Sequence, residues 1–102
     1  MIHSVYFWLK PDLTEEQIAI FETELMAVQG IDYLVHGFVG KPAPTELRPV
    51  TDHSFSYSLL LHFKNMKDHE FYQKDCPKHQ RFINACRTLW DRVVVYDTSP
   101  IH

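Results

Sequence analysis

The stretch HSFSYSLLLHF, residues 53–63, alternates polar and apolar side chains strictly over its first half. A repeat of two is the pattern of a strand with one face buried, so this segment is the clearest strand in the chain. It puts Tyr57, Leu59, Leu61 and Phe63 on one face and Ser56, Ser58, Leu60 and His62 on the other. Upstream, KPAPTELRPVTD carries three prolines and no periodicity, which predicts an exposed loop. Before it, residues 31–40 (IDYLVHGFVG) read as another strand, with Gly37 marking a bulge or a close backbone approach. Residues 2–10 (IHSVYFWLK), rich in β-branched and aromatic side chains and bounded by Pro11, predict the first strand. Between these two, Thr14 and Gln17 form a capping box. They open a helix with apolar residues at 18, 21, 25 and 28, which Gly30 stops.

Downstream of the central strand, Asn65 caps helical sequence from about Met66, broken near Pro77 and resuming to about Trp90. Residues 92–98 (RVVVYDT) are the last strand. The order strand, helix, strand, strand, helix, strand is the ferredoxin-like α+β arrangement. Its four-stranded antiparallel sheet has strand order 4-1-3-2, with the helices on one face. His3, Val5, Phe7 and Leu9, then Tyr57 to Phe63, then Val93, Val95 and Asp97 make the more apolar face, which belongs under the helices. The opposite face carries Ile2, Tyr6, Trp8, Leu60, Val94 and Tyr96, too much apolar surface to leave in water. A second copy of the sheet is the economical cover, which predicts a homodimer through the sheet faces.

The remaining numbers exclude whole classes of function. At 102 residues, 45% hydrophobic and 23% charged, the chain builds one domain spanning 1–102. A net charge of −3 with scattered Lys and Arg argues against nucleic acid and anionic membranes as partners. No apolar run approaches a membrane span or a signal peptide, and with only two cysteines a reducing cytoplasm is the simplest expectation. Three glycines form no phosphate loop. The seven histidines include no H-x₃-H helix pair and there is no C-x-x-C, so no metal and no cofactor is expected.

The break in the second helix is the informative anomaly. In FYQKDCPKHQRF, residues 71–82, Asp75 is a good N-cap and Pro77 suits a first helical turn, so the helix ends and restarts. His79 then shares the face of the apolar positions 82, 83, 86, 89 and 90 and points toward the sheet. There the helix N-terminus disfavours its protonation, and a neutral imidazole can serve as a base. The fourth strand, antiparallel to the first, brings Asp97 near His3. The third strand, read as running parallel to the first, brings Tyr57 to that same end. Tyr72 lies beside His79. Such a cluster describes either a small-molecule pocket or a set of polar groups that satisfy one another and fix a strand end. Cys76 at the restart is a further candidate nucleophile, weighed against a semi-buried structural thiol.

HSVYFWLK, FSYSLLLHF, YQKDCPKHQRF and WDRVVVYD together resemble the stress-responsive A/B barrel (Dabb) domain family across almost the entire chain. The resemblance implies a dimeric ferredoxin-like barrel. Most members have no assigned activity, while a few plant members are polyketide cyclases that close a ring by an intramolecular aldol step with a His and a Tyr at the helix break. By that likeness His79 is the general base and Tyr72 its catalytic partner, and the chain is a cofactor-independent lyase or cyclase acting on a small apolar or ketide-like ligand. His3, Tyr57 and Asp97 become polar supports, and Phe7, Phe21, Leu25, Leu59, Trp90, Val93 and Val95 line an apolar cavity. The family usually spaces that Tyr and His six apart, against seven here, and Tyr57 stands where the cyclase-type members have another His. The competing reading is a non-catalytic, stress-protective or metal-binding oligomer.

Overall fold

The computed structural model describes residues 1–102. Its elements run β1 (Ile2–Leu9), α1 (Glu15–Gln29), β2 (His36–Gly40), β3 (Tyr57–His62), α2 (Met66–Asp75), α3 (Pro77–Cys86) and β4 (Trp90–Thr98). The sheet has the order β2-β3-β1-β4, and each neighbouring pair is antiparallel. The ferredoxin-like expectation is met in element order, strand order and the number of layers.

Local chemistry accounts for most element ends. Thr14 accepts from the Gln17 backbone N–H while the Gln17 side chain accepts from Thr14 N–H, so both ends of the capping box are closed at the start of α1. Asn65 caps α2 through the Asp68 N–H. Cys76, not Asp75, holds the N-cap position of α3 and contributes no side-chain bond, because Asp75 is still the last residue of α2. Pro77 takes the first helical position as its missing N–H allows. Two elements differ in extent from the sequence reading. Residues 31–35 form turns before β2 begins at His36, and Trp90 opens β4 instead of ending the last helix.

The core lies between the helices and the inward face of the central strands. Val5, Phe7, Leu59, Leu61 and Phe63 from the sheet meet Phe21, Leu25 and Val28 of α1 and Phe82 and Cys86 of α3. Covering is uneven. The helices sit over β1 and β3, and the inward residues Val93 and Val95 of the edge strand β4 are left 41% and 47% exposed. The other face of the sheet is partly screened by the loop before β3, where Trp8 Nε1–H donates to Ser54 Oγ at 2.9 Å and Phe55 packs edge-on to Tyr6.

Gly37 is where backbone meets backbone. A Cβ there would stand 2.3 Å from the Gln29 carbonyl oxygen at the end of α1, a contact no rotamer can relieve. Gly37→Ala is therefore expected to cost about 1–3 kcal/mol through overpacking. At this chain length that lowers the Tm by roughly 4–8 °C for each kcal/mol. Thermal unfolding measures it, and an unchanged Tm contradicts the close approach.

Candidate active site

The cavity that matters lies between α2, α3 and the uncovered side of β4. It measures about 230 Å³ and is lined mainly by apolar groups: Val5, Phe7, Leu59, Phe82, Ile83, Trp90, Val93 and Val95, with His3, Tyr72, Gln73 and His79 as its polar members. α3 packs against α1, and the inward Val93 and Val95 of β4 stay exposed beside it.

His79 is oriented by the helix break. The last carbonyls of a helix have no intrahelical donors, and Pro77 has no N–H to offer them. Side chains from the first turn of α3 fill the gap. His79 Nδ1 lies 3.1 Å from the Tyr72 carbonyl oxygen, and Gln80 Nε2–H donates to the Lys74 carbonyl at 2.9 Å. A carbonyl can only accept, so Nδ1 carries the proton and donates. In the neutral ring this leaves Nε2 with its lone pair. The half-buried imidazole packs against the Tyr72 ring, with centroids 4.2 Å apart and planes tilted by 31°. Burial holds the His79 pKa below the ordinary 6.5, against the pull of the Tyr72 carbonyl, with His3 and His69 adding repulsion. The seven-residue spacing thus leaves Tyr72 against His79, because the extra residue is absorbed in the non-helical joint at Cys76.

His3 is the second polar anchor. It faces Asp97 directly across the β1–β4 ladder, and its Nδ1 lies 2.5 Å from Asp97 Oδ1. His3 is 3% exposed, and burial lowers its pKa although Asp97 pulls the other way. Asp97 supports His3 from outside the cavity wall. Burial raises the Tyr72 pKa, so its phenol keeps its proton and remains a donor.

Two expectations are corrected. Tyr57 does not join the site: β3 runs antiparallel to β1, pairing Tyr57 with Phe7 and Leu61 with His3, so Tyr57 sits at the opposite end and donates to Glu22 Oε2. Phe21 and Leu25 do not line the cavity either, because α1 packs them fully into the core. Cys76 is 2% exposed, which agrees with the structural-thiol reading of that residue and not with an accessible nucleophile. The sequence reading missed His69, whose ring lies 5.0 Å from that of His3. Its signal was there: His69 and Tyr72 are three apart and share one helix face.

The profile of the Stress Responsive A/B Barrel Domain matches residues 1–100. The chain belongs to the Dabb family. Solved structures agree with that membership in fold. A Dabb family protein with a ferredoxin-like fold from Mesorhizobium loti is 17% identical, with a TM-score of 0.74 over 99% of this chain and 96% of its own. A dimeric ferredoxin-like protein of unknown function from Thermobifida fusca is 17% identical, with a TM-score of 0.72 over 93% of this chain and 85% of its own. The hydroxynitrile lyase of Passiflora edulis is 18% identical, with a TM-score of 0.69 over 97% of this chain and 95% of its own. No curated protein sequence matches the chain. No helix of this Dabb protein is long and apolar enough to cross a membrane.

Because His3 and His79 both have pKa values held below 6.5, the unfolded chain takes up protons before the folded one as the pH drops. Their contribution to stability is complete above pH 6.5 and is lost as the pH falls through 6.5 toward the lower folded values. Thermal melts across that range are expected to show a declining Tm on acidification, with a shallower decline in His79→Gln. A Tm that rises on acidification contradicts neutral burial.

Proposed function

We propose that this Dabb protein is a homodimer whose subunits each bind a small apolar carbonyl compound in the His79 cavity. His79 is the general base of a cofactor-independent lyase or cyclase reaction. The observation that carries this reading is the hydrogen bond from His79 Nδ1–H to the Tyr72 carbonyl, which leaves the neutral ring with an unprotonated Nε2 beside an apolar cavity. The reaction class follows from the inventory. A base, a protonated phenol and apolar walls suit removal of a proton from a carbon between two carbonyls, or from the hydroxyl of a hydroxynitrile, whose oxygen becomes a carbonyl as cyanide leaves with the electron pair of the carbon–carbon bond and takes the proton back from the His79 imidazolium. Tyr72 is the donor for the oxygen that gains negative charge. The likeness to a hydroxynitrile lyase supports a lyase assignment for this cavity. Its volume of about 230 Å³ lies below the usual range of drug-sized pockets and favours a small ligand.

The dimer follows from the sheet's outer face. Ile2, Tyr6, Trp8, Leu60 and Val94 remain half-buried there and Tyr96 is exposed, with only the loop before β3 screening part of that face. The dimeric state of the Thermobifida fusca neighbour supports covering that face with a second sheet. Leu60→Arg is expected to leave the circular dichroism spectrum unchanged and convert the dimer to monomer in sedimentation. A mass unaffected by the substitution contradicts sheet-to-sheet assembly.

Turnover is tested with a panel of β-dicarbonyl compounds and aromatic cyanohydrins. His79→Ala is expected to lose about 10²–10⁴-fold in kcat while ligand affinity stays within a few-fold of the parent. Val93→Trp, which fills the cavity from the edge strand, is expected to abolish binding. Full activity in His79→Ala sinks the catalytic reading. The binding-only alternative, a stress-protective oligomer, is favoured if the panel binds without being turned over.

A further inference from the structure

At the edge of the cavity, where His3 lines it, His3, His69 and Asp97 bring three donor atoms of metal-ligating type within 4.8 Å of one another. We propose that they form a site for a divalent first-row transition metal, with zinc as the reference ion, bound through His3 Nδ1, His69 Nε2 and Asp97 Oδ1. The site is built from three separate elements. His3 and Asp97 face each other in register across β1 and β4, so the sheet itself fixes two ligands. His69, in the first turns of α2, lowers the third ligand onto them, with Nε2 4.0 Å from Asp97 Oδ1.

The donor set selects the ion class. Two imidazoles with one carboxylate suit zinc, nickel, cobalt or ferrous iron, whereas magnesium and calcium prefer all-oxygen shells. Tetrahedral ligation at bond lengths of about 2.0–2.2 Å spaces donor atoms by roughly 3.3 Å. The 2.5 Å and 4.0 Å separations present straddle that value, and the Asp97 side chain, 43% exposed, has room to rotate between them. The chemistry of each ligand agrees. Gln73 Nε2–H donates to His69 Nε2 at 3.3 Å, so that nitrogen carries a lone pair, which the ion takes over as Gln73 swings aside. The ion takes the place of the proton shared by His3 and Asp97, and His3 carries its proton on Nε2 instead. The carboxylate offsets part of the ion's charge, and its exposed side leaves at least one coordination position for water. A bound ion also ties α2 to the sheet, so it links metal loading to the stability of the helix that carries Tyr72.

The test is titration of the intact protein with Zn²⁺ and, separately, Co²⁺. The expected result is one ion per subunit, a Tm that rises with Zn²⁺ concentration, and visible Co²⁺ absorption of a low-coordinate nitrogen–oxygen site. Affinity is expected to fall at least tenfold in both His69→Ala and Asp97→Asn and to be unchanged in a variant lacking the half-buried His53 and the exposed His102. Should either ligand variant fail to fold, His69→Gln and paramagnetic broadening of the parent's amide signals by Co²⁺ decide the matter. Broadening must centre on residues 3, 69 and 97. Equal affinity in His69→Ala, loss of binding only with His53 and His102, broadening centred elsewhere, or no binding at tens of micromolar ion each overturns the site.

Discussion

The interruption of the second helix at Cys76 and Pro77 is the constraint on which the functional geometry depends. A continuous helix would keep its carbonyls paired within itself and would leave no acceptor for a side chain from the next turn. The joint frees the end of α2, and His79 and Gln80 satisfy it from α3. One hydrogen bond then does two things. It closes a helix end that would otherwise leave a half-buried carbonyl unpaired, and it fixes which nitrogen of His79 holds the proton. Beyond the joint, α3 seats Phe82 and Cys86 in the core, and the inward Val93 and Val95 of β4 stay exposed beside it.

Three imidazoles gather over one end of the sheet, and their mutual influence is consistent. His3 and His69 lower the pKa of His79, while His69 lowers that of His3, so a proton placed on one disfavours a proton on the next. Burial acts in the same direction and is the larger cause for both. Asp97 balances the group from the edge strand without entering the cavity. An imidazole lone pair is suited either to accept a proton from a substrate or to ligate a metal, and the two proposed roles fall on different rings: His79 in the first case, His3 and His69 in the second.

Legibility in the sequence followed the range of the forces involved. Local signals were read well: the Thr14–Gln17 box, the Asn65 cap, the close approach at Gly37 and the inward faces of β1 and β3 each depend on a few neighbouring residues or on a simple period. The helix break was also visible, although the cap moved by one residue to Cys76 because α2 kept Asp75. Relations between elements were harder. Strand direction decided Tyr57: a parallel β3 would bring it near His3, but the chain reverses between β2 and β3, and the antiparallel register carries it to the far end and to Glu22. The rotation of α1 decided Phe21 and Leu25, which face the core at a place the cavity does not reach. The three-residue spacing from Tyr72 could have placed His69 on the right helix face, but its partners His3 and Asp97 come from β1 and β4, and no sequence spacing links the start of a helix to the two ends of the chain.

The account turns on the tautomer of His79, and the most direct measurement is the ¹⁵N imidazole spectrum of the folded protein at neutral pH, assigned by comparison with His79→Gln. The account predicts a neutral ring with the proton on Nδ1 and a lone pair on Nε2, persisting as the pH is lowered past 6.5, above which an ordinary histidine is largely neutral. A ring protonated on Nε2, or already cationic at neutral pH, would contradict it, since neither form presents a base to the cavity.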